Sequence, residues 1–232
     1  MNVAIITARG GSKRIPGKNT RLFSAKPIIA YSIRAAIESG LFDRVIVSTD
    51  SDKIAAIAED YGADVPFRRP ANLSDDLTAT APVLEHALKW LGEHGGVPDY
   101  ACCIYPTAPF VRKRYLAEGF EALKEFGCTT TFSATSFAFP IFRSLKIDEE
   151  GRVEMFWPEH ELTRSQDLPE AYHDAGQFYW LNCEKFLREP RLYASDSRAI
   201  ILPRKLVQDI DTPEDWETAE SMFKAQGLEL GG

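Results

Sequence analysis

The feature that most constrains the fold is an alternation of short apolar runs with segments of helical periodicity. The first run, residues 3–6, is apolar throughout, as expected of a strand that is covered on both faces. Further strands are predicted at 44–48 and 101–105. Four helices are predicted: at about 27–40, from Asp50 or Ser51 to Gly62, at about 80–91, and around Leu116, Phe120 and Leu123. This alternation indicates right-handed βαβ units and a largely parallel sheet.

The pattern changes after residue 128. Strands are predicted at 129–133, 142–147, 153–156 and 178–181, without long helices between them. We therefore expect residues 129–182 to form a strand-rich insertion that serves dimerisation and covers the substrate. Strands at 199–202 and 206–210 and a last helix from Thr212-Pro213 return the chain to the α/β pattern. We predict a single domain, residues 1–228, followed by a tail, residues 229–232.

Composition excludes several classes of protein. The net charge of −7 argues against a general binder of nucleic acids or membrane surfaces. There is no run of about 18 apolar residues of the kind that forms a transmembrane helix. The N-terminus has an apolar run before its basic residues, which is the reverse of a signal peptide, and the four cysteines show no CxxC spacing. We expect a cytoplasmic protein with no nucleic-acid or membrane partner.

A basic, glycine-containing loop follows the first strand. Residues 9–26 hold six basic residues and no acidic one. Adjacent glycines let the backbone approach a ligand and present N–H groups to phosphate oxygens, and Arg9, Lys13 and Lys18 can neutralise a triphosphate. The alternative is a solvated basic surface loop.

Two better-known phosphate-binding motifs do not fit this loop. Five residues separate Gly11 from Gly17, whereas a Walker A loop has four, and Asn19 stands where that loop has a hydroxyl residue. The GxGxxG fingerprint is absent as well. A P-loop kinase and a Rossmann dehydrogenase both lose support.

Residues 8–19 resemble the N-terminal signature of the acidic-sugar cytidylyltransferases, which include the CMP-sialic acid synthetases. The glycine pair and Asn19 favour the nine-carbon branch over the Kdo enzymes. The resemblance implies a Rossmann-like nucleotidyltransferase fold of the glycosyltransferase-A type, with a mainly parallel central sheet and a small antiparallel insertion. It assigns nucleotide binding to Ala8, Arg9, Gly10, Gly11, Ser12, Lys13, Lys18, Asn19, Arg69 and Ser74. Arg69 is expected to read the cytosine edge.

Three later segments extend the resemblance toward the sugar. Residues 105–109 correspond to a Gln-Pro-Thr-Ser-Pro segment of sialic acid enzymes, and Tyr105 in place of glutamine argues against sialic acid. Residues 164–169 resemble an Arg-x-Gln-Asp-Leu-Pro stretch, in which Arg164 would bind the sugar carboxylate. Residues 172–180 are similar to the pseudaminic acid branch. The resemblance assigns sugar binding to Tyr105, Thr107, Arg164, Gln166, His173, Asp174, Gln177 and Tyr179.

An aspartate pair follows the last predicted strand. Asp209 and Asp211 are two residues apart, so both carboxylates should project to one side. Mg²⁺ commonly takes one or two carboxylates together with substrate phosphates and water. The alternative is that Asp211 only assists the start of the next helix. The resemblance assigns both aspartates to Mg²⁺ and makes them catalytic together with Arg9 and Lys18.

The resemblance also implies the reaction. CTP and a nine-carbon acidic (nonulosonic) sugar, first of all pseudaminic acid, would give the CMP-sugar and pyrophosphate. It further implies a homodimer and a product used on glycosylated surface structures such as flagellin. Two alternatives stay open: an enzyme for sialic or legionaminic acid, and a non-catalytic CTP-binding protein.

Overall fold

The computed structural model describes residues 1–228, so the predicted tail lies outside the described residues. The strands are β1 (Asn2–Thr7), β2 (Leu22–Phe23), β3 (Lys26–Pro27), β4 (Arg44–Ser48), β5 (Tyr100–Ile104), β6 (Thr130–Ser136), β7 (Leu145–Ile147), β8 (Val153–Met155), β9 (Tyr172–Asn182) and β10 (Arg198–Ile201). The α-helices are α1 (Ile28–Ser39), α2 (Asp52–Asp60), α3 (Thr80–Glu93), α4 (Lys113–Phe126), α5 (Cys183–Arg188) and α6 (Pro213–Ala225).

Within these residues a central sheet has the strand order β10-β6-β9-β5-β1-β4. β1 runs parallel to β4 and β5, and β10 runs parallel to β6, whereas β9 is antiparallel to both of its neighbours. The predicted α/β fold with a mainly parallel central sheet is confirmed. No helix within residues 1–228 combines the length and the apolarity needed to cross a bilayer.

Apolar side chains cover both faces of the sheet. On one face, Ala4 and Ile6 of β1 lie in a cluster with residues of α1, α2 and α4. On the other face, Val3 and Ile5 pack with α3 and α5. The alternation of β1 residues between two buried faces explains why residues 3–6 are apolar without interruption.

The order of the strands creates a crevice beside β1. The chain leaves β1 for β4 on one side and then returns to β5 on the other side of β1. Loops that leave the carboxyl ends of such strands diverge, and ligands of open α/β sheets bind in the resulting crevice. The basic loop after β1 and the residues after β5 therefore face the same space.

A third apolar cluster anchors the basic loop to the end of the chain. Ile15 of the loop and Ile210 are fully buried in this cluster, together with Trp216 and Phe223 of α6. Because Ile210 lies between Asp209 and Asp211, this packing brings the aspartate pair to the loop although about 200 residues separate them in sequence. Burial of these apolar groups supplies the stabilisation that holds the two segments together.

Helix α4 packs so closely against β9 that one helical position requires glycine. A Cβ atom at Gly119 would come within 3.0 Å of the rings of Phe178 and Trp180, a distance that close-packed interiors do not tolerate. The indole N–H of Trp180 donates to the carbonyl of Leu116 at 2.9 Å. These contacts hold β9 in the middle of the sheet.

The predicted insertion at residues 129–182 is wrong in its extent. β6 and β9 belong to the central sheet, and β9 lies between β5 and β6. Within the predicted insertion, residues 137–171 lie outside the central sheet, and they contain a small antiparallel pair formed by β7 and β8. Pairing between distant strands decides this arrangement, and local sequence patterns do not encode it.

One further predicted strand is absent, and another is shorter than predicted. Residues 206–210 form no strand; Arg204–Leu206 is a single 3₁₀ turn that follows Pro203. The strand predicted at 142–147 is reduced to β7, because Ile141–Arg143 forms a 3₁₀ turn after Pro140. A proline with a fixed φ precedes each turn and favours a turn over a continuous strand.

Candidate active site

A cleft of about 590 Å³ opens at the carboxyl ends of β1 and β5. Its walls come from the basic loop, from residues 69–83 and from residues 105–107. Of the predicted nucleotide-binding residues, those that line it are Arg9, Ser12, Lys13, Lys18, Asn19 and Arg69. Arg14 lines it too, so five basic side chains surround one cavity.

The basic loop is held in shape by contacts within the protein. Asn19 is buried, and its side-chain amide donates to the carbonyl of Arg9 at 2.9 Å. The N–H of Gly10 donates to a carboxylate oxygen of Asp50 at 2.8 Å, and the N–H of Ser12 donates to the carbonyl of Gly10. A side chain at Gly10 would be crowded, because its Cβ would lie 3.1 Å from the Cβ of Ser51.

These contacts change the expected role of the loop backbone. The N–H groups of Gly10 and Ser12 are bonded inside the protein, so in this structure these two groups are not offered to a ligand. Ala8 is fully buried beneath the loop. The charged side chains are therefore the main groups that this structure offers to an anion.

The cations of the loop are paired with two carboxylates. Arg9 and Lys13 both contact Asp76, and Arg14 and Lys18 both contact Asp211, at 2.9 Å and 3.3 Å. A triphosphate brings about four negative charges and can replace such half-exposed partners, since ion pairs of this kind contribute little stability. The cleft is thus electrostatically suited to a small polyanion.

Asp76 was missed by the sequence analysis. Nucleotide binding was assigned to nearby Ser74, but nothing in the sequence around it shows that the carboxylate of Asp76 turns toward the basic loop. The ion pairs with Arg9 and Lys13 lower the pKa of Asp76. The absence of acidic residues from 9–26 was a signal that the neutralising carboxylates had to come from elsewhere in the chain.

Asp211 contacts Arg14 and Lys18 of the cleft wall, and Asp209 is near enough to Asp211 and Lys18 for their charges to act on it, although neither aspartate lines the cleft itself. Loss of hydration, followed by the charge of Asp211, raises the pKa of Asp209, while the Lys18 ammonium opposes this shift. The Lys18 Nζ atom donates to the carbonyl of Ile210 at 2.6 Å and to a carboxylate oxygen of Asp211 at 3.3 Å. Two crowded carboxylates beside a phosphate-sized cavity are a suitable place for a cation.

The alternative role of Asp211 as a helix cap is excluded. Thr212 caps α6 by accepting a hydrogen bond from the N–H of Asp215, and Asp215 returns a bond to the backbone of Thr212. The cap of α6 is therefore complete without the carboxylate of Asp211. That carboxylate is directed instead to the cations of the loop.

Among residues 1–228, no group of three or more acidic, histidine or cysteine side chains is placed to hold a metal ion. The aspartate pair alone cannot satisfy a divalent cation. It fits Mg²⁺ in the usual arrangement for this ion, in which water and substrate phosphates complete the coordination.

Arg69 supplies a buried donor on the opposite wall. Its side chain is 4% exposed, its Nε donates to the hydroxyl of Ser74 at 3.1 Å, and its Nη2 lies 4.0 Å from Asp50. The Nη2 atom has no hydrogen-bond partner. Burial lowers the pKa of this guanidinium, and a buried donor without an acceptor costs free energy that a bound ligand can recover.

The structure brings only part of the predicted sugar site to the cleft. Tyr105 and Thr107 line it, and the hydroxyl of Tyr105 is hydrogen-bonded to that of Thr80 at 2.9 Å. Tyr179 lies behind Tyr105, with ring centroids 5.2 Å apart. Gln177 is buried and donates to the carbonyl of Leu206.

Other predicted sugar residues lie outside the cleft. Gln166 lies exposed on the 3₁₀ turn Ser165–Asp167, and Arg164 lies exposed just before it. Arg164 forms an ion pair with Asp167 at 2.7 Å. His173 is exposed at the start of β9. Asp174 accepts hydrogen bonds from two tyrosine hydroxyls and from the N–H of Gly176. None of these four lines the cleft in this structure.

Fold and cleft together define an α/β protein of the nucleotide-binding class, with a cationic cleft at the carboxyl edge of the parallel strands. Residues 3–229 match the sequence profile of the family described as cytidylyltransferase. The chain belongs to this cytidylyltransferase family.

Individual relatives agree with this assignment. The chain is 43% identical to the pseudaminic acid cytidylyltransferase of Campylobacter jejuni serotype O:23/36, over 96% of both chains. It is 31% identical to the CMP-N,N'-diacetyllegionaminic acid synthase of Legionella pneumophila, again over 96% of both. Among solved structures, a CMP:2-keto-3-deoxy-manno-octonic acid synthetase complexed with CTP superimposes with a TM-score of 0.69 at 16% identity, covering 98% of this chain and 99% of that one. At this low identity the superposition supports the fold alone.

Proposed function

We propose that the chain transfers CMP from CTP to the anomeric hydroxyl of pseudaminic acid and releases pyrophosphate. The observation that carries this proposal is the convergence of five basic side chains on one cleft that also contains Tyr105, with Asp211 of the aspartate pair in contact with two of these cations. The 43% identity to a pseudaminic acid cytidylyltransferase over nearly the whole chain supports the choice of sugar. The identity to a legionaminic acid synthase is lower, at 31%, so legionaminic acid is the second candidate substrate.

The reaction forms one bond and breaks one. The anomeric oxygen attacks the α-phosphorus in line, the bond between the α-phosphorus and the bridging oxygen breaks, and pyrophosphate leaves with that oxygen. The hydroxyl proton passes to a base that the sequence does not identify. Arg9 and Lys18 would neutralise the charge that builds up on the phosphates, which is where preorganised cations contribute most to catalysis.

Asp209 and Asp211 are proposed to hold Mg²⁺. The support is their proximity, the raised pKa of Asp209 and the adjacent cations that bind phosphate. When bound there, the ion would polarise phosphate oxygens and stabilise negative charge. Lys18 is held in place by its hydrogen bond to the carbonyl of Ile210, and Arg14 forms an ion pair with one carboxylate oxygen of Asp211.

Arg69 is proposed to read the cytosine. Its unpartnered Nη2 is a donor, and the Watson–Crick edge of cytosine offers acceptors at N3 and O2. The backbone N–H of Arg69 is fixed to the carbonyl of Thr49 at 2.8 Å and its Nε to Ser74, so the guanidinium is held in place before the nucleotide arrives. Preorganisation of this kind favours affinity.

Replacing Arg69 by methionine should raise the KM for CTP by about 10- to 100-fold. A hydrogen bond from a charged donor is worth about 1.5–3 kcal/mol, and methionine fills the same apolar volume without donating. The KM for the sugar should change little. Arg68→Met, at the adjacent exposed residue that pairs with Asp52, is the matched control. Steady-state pyrophosphate release at varied CTP measures the effect, and an unchanged KM for CTP contradicts the role of Arg69.

The choice of sugar is tested by pyrophosphate release with CTP, Mg²⁺ and purified pseudaminic, legionaminic and sialic acids and Kdo. We expect the highest kcat/KM with pseudaminic acid. A higher value with legionaminic or sialic acid would keep the reaction and overturn the interpretation of Tyr105. Tight CTP binding without release with any sugar would favour a non-catalytic protein, although Lys18 and both aspartates are retained.

A homodimer is proposed from the surface of residues 137–171. Exposed apolar side chains are concentrated there, and they are Phe137, Phe139, Leu145, Ile147, Val153, Phe156 and Leu162. Exposed apolar patches of this kind mark interaction sites. Sedimentation equilibrium should give a mass twice that of the chain.

Use of the product in flagellin glycosylation is proposed from the family resemblance only.

A further inference from the structure

A carboxylate behind the cleft is held by donors from two separate segments. Tyr179 of β9 and Tyr193, in the connection between α5 and β10, both donate their hydroxyl hydrogen to the same oxygen of Asp174. The other oxygen of Asp174 accepts the N–H of Gly176 at 2.8 Å. Three donors use most of the acceptor capacity of one carboxylate, so Asp174 acts mainly within the protein.

Both tyrosines remain donors at neutral pH. Burial, together with the neighbouring carboxylate of Asp174, raises the pKa of Tyr179 and of Tyr193. Hydrogen bonds to an ionised acceptor are stronger than bonds between neutral groups. Tyr179 is buried and Tyr193 is 57% exposed, so Asp174 is held by one sheltered donor and by one donor at the surface.

The unit formed by Asp174 and these two tyrosines contacts Tyr105, a residue of the cleft wall that is predicted to bind the sugar. The ring of Tyr179 packs against that of Tyr105, with centroids 5.2 Å apart. The remaining contacts of Tyr105 come from elsewhere: its hydroxyl bonds Thr80, its N–H donates to the carbonyl of Gln177 at 2.9 Å, and its carbonyl accepts the hydroxyl of Ser32 at 2.7 Å. Tyr179 is the aromatic ring through which β9 contacts the ring of Tyr105.

We propose that Tyr193 is a positioning residue for sugar specificity, which acts through Asp174 and Tyr179 on the ring of Tyr105. The inference rests on the proposed function. Tyr193 does not line the cleft; it fixes the carboxylate that orients Tyr179, and Tyr179 sets how much room Tyr105 leaves for the substituents of the sugar.

The segment that carries Tyr193 is anchored independently of its hydroxyl. The hydroxyl of Thr130 donates to the carbonyl of Leu192 at 2.7 Å, and Asp196 accepts the N–H of Thr129 at 2.9 Å. The ring of Tyr193 also makes an edge contact with Phe132 at 5.1 Å. Tyr193→Phe therefore removes one hydrogen bond and leaves the segment in place.

Tyr193→Phe should lower kcat/KM for pseudaminic acid by about 10-fold, the value of one hydrogen bond to a charged acceptor. The KM for CTP should stay unchanged, and the preference for pseudaminic over legionaminic acid should narrow. Tyr172→Phe is the matched control, because it loses a tyrosine–carboxylate bond to Glu170 that has no contact with Tyr105.

A second readout does not depend on turnover. In protein with ¹³C-labelled tyrosine rings, the resonance of Tyr105, assigned through Tyr105→Phe, should shift in Tyr193→Phe and not in Tyr172→Phe. An unshifted resonance, or an equal loss of kcat/KM toward both sugars together with a lowered Tm, overturns the proposal. If the wild-type protein releases no pyrophosphate with any sugar, the proposed function fails, and the resonance alone still decides whether Tyr193 positions Tyr105.

Discussion

Lys18→Met lowers kcat for pyrophosphate release by about 10²–10³-fold, the effect expected when one preorganised electrostatic group is removed from a transition state. The Lys18 ammonium is one-fifth exposed and is held by the carbonyl of Ile210 and by Asp211. It therefore needs little reorganisation when charge develops on the phosphates. Methionine keeps the apolar stem of the side chain and removes only the charge.

The controls for this variant separate catalysis from folding. Lys53→Met, on the exposed face of α2, should leave kcat unchanged. Lys13→Met should have a smaller effect than Lys18→Met, because Lys13 is 82% exposed and its charge is well screened by solvent. A Lys18→Met protein that folds normally and keeps more than about a tenth of the wild-type kcat would contradict the assigned role.

Asp209→Asn should abolish most of the turnover and at the same time stabilise the protein by a small amount, because solvent screens part of the charge of this exposed residue. The loss of activity should be at least about 100-fold, because a metal-held phosphate is worth several kcal/mol of transition-state stabilisation. Titration of Mg²⁺ against pyrophosphate release measures it. Activity of the wild-type enzyme should also fall as the pH is lowered through the raised pKa of Asp209, since a protonated carboxyl does not bind the ion.

The stabilisation follows from the sign of the pKa shift. The folded protein holds the proton of Asp209 more tightly than the unfolded chain, in which the pKa is near 3.8. Below 3.8 both states are protonated and Asp209 contributes no penalty. As the pH rises from 3.8 to the raised folded pKa, the unfolded chain ionises while the folded carboxyl keeps its proton, so stability is lost over this range and the full penalty persists at higher pH.

Thermal unfolding in EDTA checks this account. Asp209→Asn should have the higher Tm at neutral pH, and the difference should shrink as the pH falls. Asp211→Asn is the contrasting variant, because it removes the partner of Arg14 and Lys18 and should give no such gain. A lower Tm for Asp209→Asn at neutral pH, or full activity with ordinary Mg²⁺ dependence, would contradict the role of this pair.

The parts of the fold and site that the sequence predicted correctly depend on local patterns. The continuous apolar run of β1 and the helical periods of α1 to α4 identified the α/β sheet. The cluster of basic residues after β1 identified one wall of the cleft. Tyr105 and Thr107 line the cleft because they follow directly from a strand that ends at the same edge, and their contact with a sugar stays a prediction.

The errors concern contacts between distant segments. Residues 178–181 are apolar without interruption, which is typical of a strand covered on both faces, yet only pairing with β5 and β6 shows that β9 is central. Asp76 reaches the basic loop across about 65 residues, and Tyr193 reaches Asp174 across 19. No local period or motif specifies such contacts, so they had to be read from the structure.

The central claim is that the chain transfers a cytidylyl group to an acidic sugar, and phosphorus NMR tests it most directly. CTP, Mg²⁺ and pseudaminic acid are mixed with the protein, and Lys18→Met serves as the negative control. The account predicts that the three resonances of CTP are replaced by pyrophosphate and by a single phosphodiester resonance coupled to the sugar. Unchanged CTP, or conversion to CMP or CDP without a phosphodiester to the sugar, would contradict it.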